Sequence, residues 1–143
     1  MIAVDTNLLV YAHRADMPQH ADAVEALRSL AEGSAPWAIA WPCVHEFFAV
    51  VTSARFKPAS TPKHAWAAIC NIAASPSLRL IGEGVNHLQW LARMVERGDV
   101  RGAMIHDARI AAICLAHGVN ELWTADRDFA RFPELKTRNP LTA

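Results

Sequence analysis

With 143 residues, 52% of them hydrophobic and 20% charged, the chain has the length of one domain and enough apolar side chains for a sizeable core, which excludes a disordered polypeptide. Fourteen basic and fourteen acidic side chains give a formal net charge of zero. That balance excludes a passive polycationic coat for nucleic acid, but not an enzyme that meets RNA at one cleft.

The first element is a short strand, Ile2-Ala3-Val4, ending at Asp5, followed by a short helix around Leu8 to Ala12. Pro18 opens a segment whose Ala21, Val24, Leu27 and Leu30 recur at helical spacing, and Gly33 stops it. Residues 37–41, Trp-Ala-Ile-Ala-Trp, read as a strand with Trp37 and Trp41 on one core-facing side. Pro42 suits the first turn of the next helix, which carries Val44, Phe47, Phe48 and Val51. Thr61-Pro62 is a cap with a first-turn proline, opening a helix that runs towards Pro76. Leu78 to Ile81 is a third strand, and Val85, Leu88, Leu91, Ala92 and Val95 mark an amphipathic helix closed near Gly98. Asp107 to His117 is a helix rich in Ala and Ile, Glu121 to Thr124 a fourth strand, and Lys136 to Arg138 a last short one.

Strands alternating with helices predict an α/β fold with a mainly parallel sheet of four to five strands, in one domain over residues 1–143, with no repeat or linker. Cys43, Cys70 and Cys114 are odd in number, far apart and set in apolar stretches, so buried reduced thiols are expected rather than disulfides or a zinc site. No apolar run approaches the length of a membrane span, and the first residues lack the basic region and long apolar stretch of a signal peptide. A soluble cytoplasmic protein with no membrane partner is expected.

Three aspartates hold comparable places. Asp5 ends the first strand, Asp126 follows the fourth, and Asp107 lies in the first turn of its helix. Ligands of open parallel sheets bind beyond the carboxyl ends of the strands, where Asp5 and Asp126 fall. Each alone is better explained as a helix cap, because caps far outnumber metal ligands. The neighbours shift the balance. Asp107 shares a helical face with Ile110, Ala111 and Cys114, where an unpaired charge is costly. Glu46 is the one Asp, Glu, Lys or Arg between Pro42 and Ala54, on a helix apolar nearly all round. Carboxylates that meet must either share a proton or bind a cation. Oxygen-only ligation suits Mg²⁺ or Mn²⁺, and such ions hydrolyse phosphodiesters by activating a water.

Four segments then resemble the motifs of PIN domains: Val4-Asp5-Thr6-Asn7, the helical Glu46, Asp107 to Ala112, and Thr124-Ala125-Asp126-Arg127-Asp128-Phe129. With the overall length and the terminal Asn139-Pro140-Leu141, the chain is similar from end to end to VapC-type toxins of toxin–antitoxin pairs. The resemblance implies a PIN-like three-layer α/β/α sandwich and a metal-dependent endoribonuclease cleaving structured RNA, a tRNA or a ribosomal RNA loop. Asp5, Glu46, Asp107 and Asp126 would be the catalytic, metal-binding carboxylates, with Asp128 auxiliary. Thr6 or Asn7 would orient Asp5, and Thr124 would act near Asp126. It further implies Mg²⁺ or Mn²⁺ as cofactor, a homodimer, and a small cognate VapB-type antitoxin that blocks the acidic cleft. The alternatives are a PIN nuclease of RNA processing or DNA flaps, and a non-catalytic PIN-like scaffold that binds RNA or protein. An aspartyl-phosphate phosphatase is set aside because its second aspartate would fall at Asn7.

Arg127, between two of the acids, is a candidate phosphate contact; Arg109 is more simply a solvent-facing helix residue. Arg55 and Lys57 form either part of an RNA-facing rim or an ordinary charged helix end. The seven histidines show no helical zinc spacing, and His106 points about 100° away from its neighbour Asp107. Trp123 is expected in the core, and Trp66 and Trp90 are candidates to cover a partner surface.

Overall fold

The structure, a computed structural model, describes residues 1–142. Its strands are β1 (Ile2–Val4), β2 (Trp37–Ala40), β3 (Leu78–Ile81), β4 (Glu121–Trp123) and β5 (Lys136–Arg138). Its helices are α1 (Thr6–His13), α2 (His20–Glu32), α3 (Trp41–Val51), α4 (Pro62–Ala73), α5 (His87–Arg97) and α6 (Ile105–Ala116). Short 3₁₀ turns at Gly102–Met104 and Asp128–Arg131 complete the chain.

The five strands form one sheet in the order β3-β2-β1-β4-β5, every pair parallel. Strand alternation sorts the side chains into two unlike faces. Trp37, Ile39, Leu78 and Leu80 lie on one face, where α1 to α4 supply Leu9, Leu27, Phe47 and Ile72. On the other face lie Ala3, Ala38 and Ala40, all at most 1% exposed. There α6 contacts β2, with Ala108, Ala111 and Ala112 fully buried, and α5 packs outside α6. Small residues on both partners let helix and sheet approach closely, and helices cover both faces as a parallel sheet requires. The three-layer α/β/α arrangement is confirmed, with five strands and no antiparallel pair among the described residues.

The local signals hold at several boundaries. Thr61 Oγ1 accepts the His64 N–H at 3.1 Å, capping α4. Three expectations need correction. Trp41 is the first residue of α3, not the end of a strand, and is 40% exposed. Pro42 fixes the helical start at that point, so the chain turns before Trp41 can reach the face that buries Trp37. Cys70 is exposed, because α4 buries only one stripe, while Cys43 and Cys114 are buried as expected. Val85 precedes α5 in a turn closed by the His87 N–H to Gly84 O bond of 3.1 Å, and is 97% exposed. Among the described residues, no helix is long and apolar enough to cross a membrane.

Candidate active site: an acidic cleft at the switch point of the sheet

From β1 the chain proceeds to β2 and β3 on one side and only later returns to β4 and β5 on the other. The crevice beyond β1 and β4 is therefore the place where strand order reverses, and adjacent strand ends splay their connections apart. Asp5 leaves β1 there, and its N–H donates to Trp123 O of β4 at 3.0 Å.

Asp5 is 5% exposed, and its carboxylate is held on several sides. Oδ1 accepts the Thr6 N–H at 2.8 Å and the Cys43 thiol at 3.7 Å; Oδ2 accepts the Thr124 hydroxyl at 2.8 Å and Asn7 Nδ2 at 3.3 Å. It also serves as the N-cap of α1, so capping and site geometry coincide in one residue. Thr124 uses its full capacity, donating to Asp5 and accepting from Asn7 Nδ2 at 3.1 Å and the Asp126 N–H at 3.0 Å. Asn7 Oδ1 takes the Ala125 N–H at 3.1 Å. Asn7 and Thr124 thus lace the ends of β1 and β4 together. The Thr6 side chain turns instead to Glu46, its Oγ1 donating to Oε2 at 3.3 Å.

Asp107, in the first turn of α6, meets Asp126 and Asp128 from beyond β4. One carboxylate oxygen from each lies within 4.8 Å of the others, a spacing suited to holding one ion. Asp126 Oδ1 accepts the Asp128 N–H at 2.8 Å, which folds the loop so that both acids face Asp107. Asp5, Glu46, Asp107 and Asp126 line one cleft of about 360 Å³. Asp128, expected as an auxiliary, belongs to the tightest group, whereas Asp5 sits deeper and Glu46 is exposed at the mouth.

The charges report on one another. Asp107 is pushed up to about 6, first by burial and then by Asp126, Asp5, Asp128 and Glu46, all four of the other acids. Asp5 is raised as well, chiefly by burial, with the hydrogen bonds from Thr124 and Thr6 opposing. Burial likewise pushes the Cys114 thiol up to about 12 and the Cys43 thiol well above its ordinary value, so both remain S–H groups beneath the site. The donor set suits a hard divalent cation: it is all oxygen, with no His or Cys in the close trio.

Elsewhere the expected residues disperse. Arg127 is exposed and makes no ion pair among the described residues, while Arg109 is half-buried and ion-paired with Glu83. Arg55 lines the acidic cleft and Lys57 does not. His106 borders a second hollow beside Asp107, and His45 leans on Trp41. Trp123 is buried, Trp66 is 58% exposed, and Trp90 is half-buried under Arg93. Two features of the cleft escaped the sequence reading. Cys43 was expected only as a buried thiol, yet it donates to Asp5 from a residue 38 positions away, which no local pattern signals. Tyr11 lines the cleft, and its spacing of four from Asn7 on a helix was the available sign.

Comparison with known proteins matches residues 2–135 to the PIN domain. A VapC ribonuclease of Mycobacterium bovis is 38% identical over 143 residues, covering 99% of this chain and 96% of its own length. Ribonuclease VapC43 of Mycobacterium tuberculosis has the same identity and coverage. Among solved structures, VapC20 of M. tuberculosis, described as a toxin that cleaves the sarcin–ricin loop, superposes with a TM-score of 0.70 at 20% identity, covering 97% of this chain and all of that one. The VapBC2 complex of Rickettsia felis, bound to a promoter DNA fragment, gives a TM-score of 0.71 at 20% identity, covering 97% of this chain and 98% of the matched one. A PIN match over nearly the whole chain, together with full-length relatives at 38% identity, shows that this chain belongs to the PIN-domain family, among its VapC members.

Proposed function

We propose that this chain is a Mg²⁺- or Mn²⁺-dependent endoribonuclease, the toxin of a toxin–antitoxin pair. The observation that carries the reading is the convergence of five carboxylates, where burial first and then the other four acids push Asp107 up to about 6. Such a cluster is electrostatically unfavourable without a counter-charge, which a divalent cation supplies. Asp5, Glu46, Asp107 and Asp126 would hold the cation, with Asp128 assisting. The bound metal supplies activation of a water and stabilisation of charge on the scissile phosphate.

The protein's own part is positioning. Thr6, Asn7, Thr124 and Cys43 fix both oxygens of Asp5, so that carboxylate need not reorganise when a cation arrives. Thr6 also steadies Glu46 at the cleft mouth. Arg127, exposed between Asp126 and Asp128 in sequence, would take a phosphate of the incoming strand. The names of the full-length relatives support RNA as the substrate, the loop cleavage described for VapC20 favours a structured RNA such as a ribosomal RNA loop or a tRNA, and the VapBC complex supports a VapB-type antitoxin as partner. A homodimer in the cytoplasm completes the reading, with exposed Trp66 available to an interface.

The test is incubation of the purified protein with tRNA, ribosomal RNA and flap DNA in Mg²⁺ or Mn²⁺, beside Asp5→Asn and a chelated sample. Discrete RNA fragments that vanish in both controls are expected. Asp5→Asn keeps one acceptor oxygen but turns an amide NH₂ towards donors on the other side, so its fold is verified by circular dichroism, and activity should fall by about 100-fold or more. Intact RNA under every metal condition would turn the reading to a scaffold, and cleavage of flap DNA alone would turn it to a DNA nuclease.

A further inference from the structure

The cleft continues beyond its acids. On α1, Tyr11 lies one turn past Asn7, and on α3, Val50 lies one turn past Glu46. One turn is a rise of about 5.4 Å. Besides its carboxylates and amide, the same cleft is lined by Tyr11, Met17, Val50 and Phe56, together with Arg55.

This wall is built rather than incidental. The Arg14 guanidinium lies 4.6 Å above the Phe56 ring and donates from Nη1 to Pro58 O at 2.8 Å. It also holds Asp16 through Nε at 3.0 Å and Nη2 at 2.9 Å. The Ser60 N–H returns to Val51 O at 2.8 Å, and His13 Nε2 meets Ser60 Oγ at 2.8 Å. The α1–α2 and α3–α4 connections are thereby fastened to each other. Arg55 is different: it is exposed, its guanidinium makes no hydrogen bond or ion pair among the described residues, and it is the one cation lining a cleft that carries four carboxylates.

An aromatic and thioether wall with an uncommitted guanidinium is the chemistry of an unstacked nucleotide. A splayed base offers its face to Tyr, Phe or Met, and its phosphate offers oxygens to Arg. Bases inside a duplex present only their edges to a protein. The volume of about 360 Å³ falls within the range of small-ligand sites, roughly 300–1,000 Å³. We propose that Tyr11, Met17 and Phe56 form a subsite for the base of an unpaired nucleotide beside the scissile phosphate, with Arg55 on a flanking phosphate. The subsite rests on the nuclease reading above and adds to it the form in which the strand must enter.

The chain contains one tyrosine, so 3-fluorotyrosine labels Tyr11 alone. The labelled protein, in Ca²⁺, is titrated by ¹⁹F NMR with the four homotetramers of RNA and with a tetrameric ribose phosphate lacking bases. A saturable shift of the single resonance is expected with at least one base-bearing tetramer and not with the abasic one. Arg55→Ala, a surface change that leaves the wall intact, should weaken that titration about 10-fold. A resonance that never moves, or moves equally with abasic ligand, overturns the subsite. If RNA is still cleaved in that case, the nuclease reading stands without it. A base-dependent shift in a protein that cleaves no RNA retains the subsite and removes the nuclease.

Discussion

Asp107→Asn should stabilise the metal-free protein at neutral pH. Burial and four carboxylates raise Asp107 from 3.8 to about 6, so the folded state favours the protonated form more than the unfolded chain does. Folding stability therefore falls as pH rises from about 4 to 6 and stays reduced above that window. At about 1.4 kcal/mol per pH unit the full effect is about 3 kcal/mol. Asp107 is only half-buried, and screening by solvent reduces the effect to about 1–2 kcal/mol. Asparagine carries no charge, and Asp107 accepts no hydrogen bond among the described residues, so little is lost in exchange. For a chain of this length the gain corresponds to about 3–8 °C in Tm. The assay is thermal unfolding in chelator at pH 7.5 and pH 4.5, for wild type and variant. The difference should be present at pH 7.5 and largely gone at pH 4.5. Adding Mg²⁺ should raise the wild type, by about 2.7 kcal/mol at 100 times Kd, and the variant much less. A variant equally destabilised at both pH values in chelator would refute the electrostatic reasoning and assign Asp107 a structural role.

Thr124→Val should leave Asn7 Nδ2 and the Asp126 N–H without their hydroxyl acceptor and remove a donor from Asp5. Urea unfolding should show a loss of about 1–3 kcal/mol, and calorimetry a Mn²⁺ affinity lower by about 10- to 100-fold, with Thr124→Ser restoring most of both. Ala38→Leu should overfill the seam between β2 and α6, where Ala38 is fully buried, and cost about 1–3 kcal/mol in the same unfolding assay. An unchanged midpoint would mean that the seam has slack.

The sequence by itself determined the alternation of strands and helices, the caps, and Asp5 at the end of β1. Those features depend on residues a few positions apart, through periodicity, proline geometry and side-chain capping. The same locality explains its errors. Trp41 and Val85 have the right character for a strand and a helix but lie one or two residues beyond them, and Cys70 falls on the wrong side of α4. The resemblance to a family named the acids in advance; their meeting was settled only by tertiary structure. Placing β4 beside β1 rather than beside β3 brings Thr124 to Asp5 across 119 positions, and sets Asp126 and Asp128 against Asp107. Strand order and helix packing are choices among many arrangements of the same amphipathic pieces, decided by how the Ala face and the large apolar face are each covered. The wall of Tyr11, Met17 and Phe56 belongs to that second category, because the end of α1 and two loops tied by Arg14 make it and none of the three contains it alone.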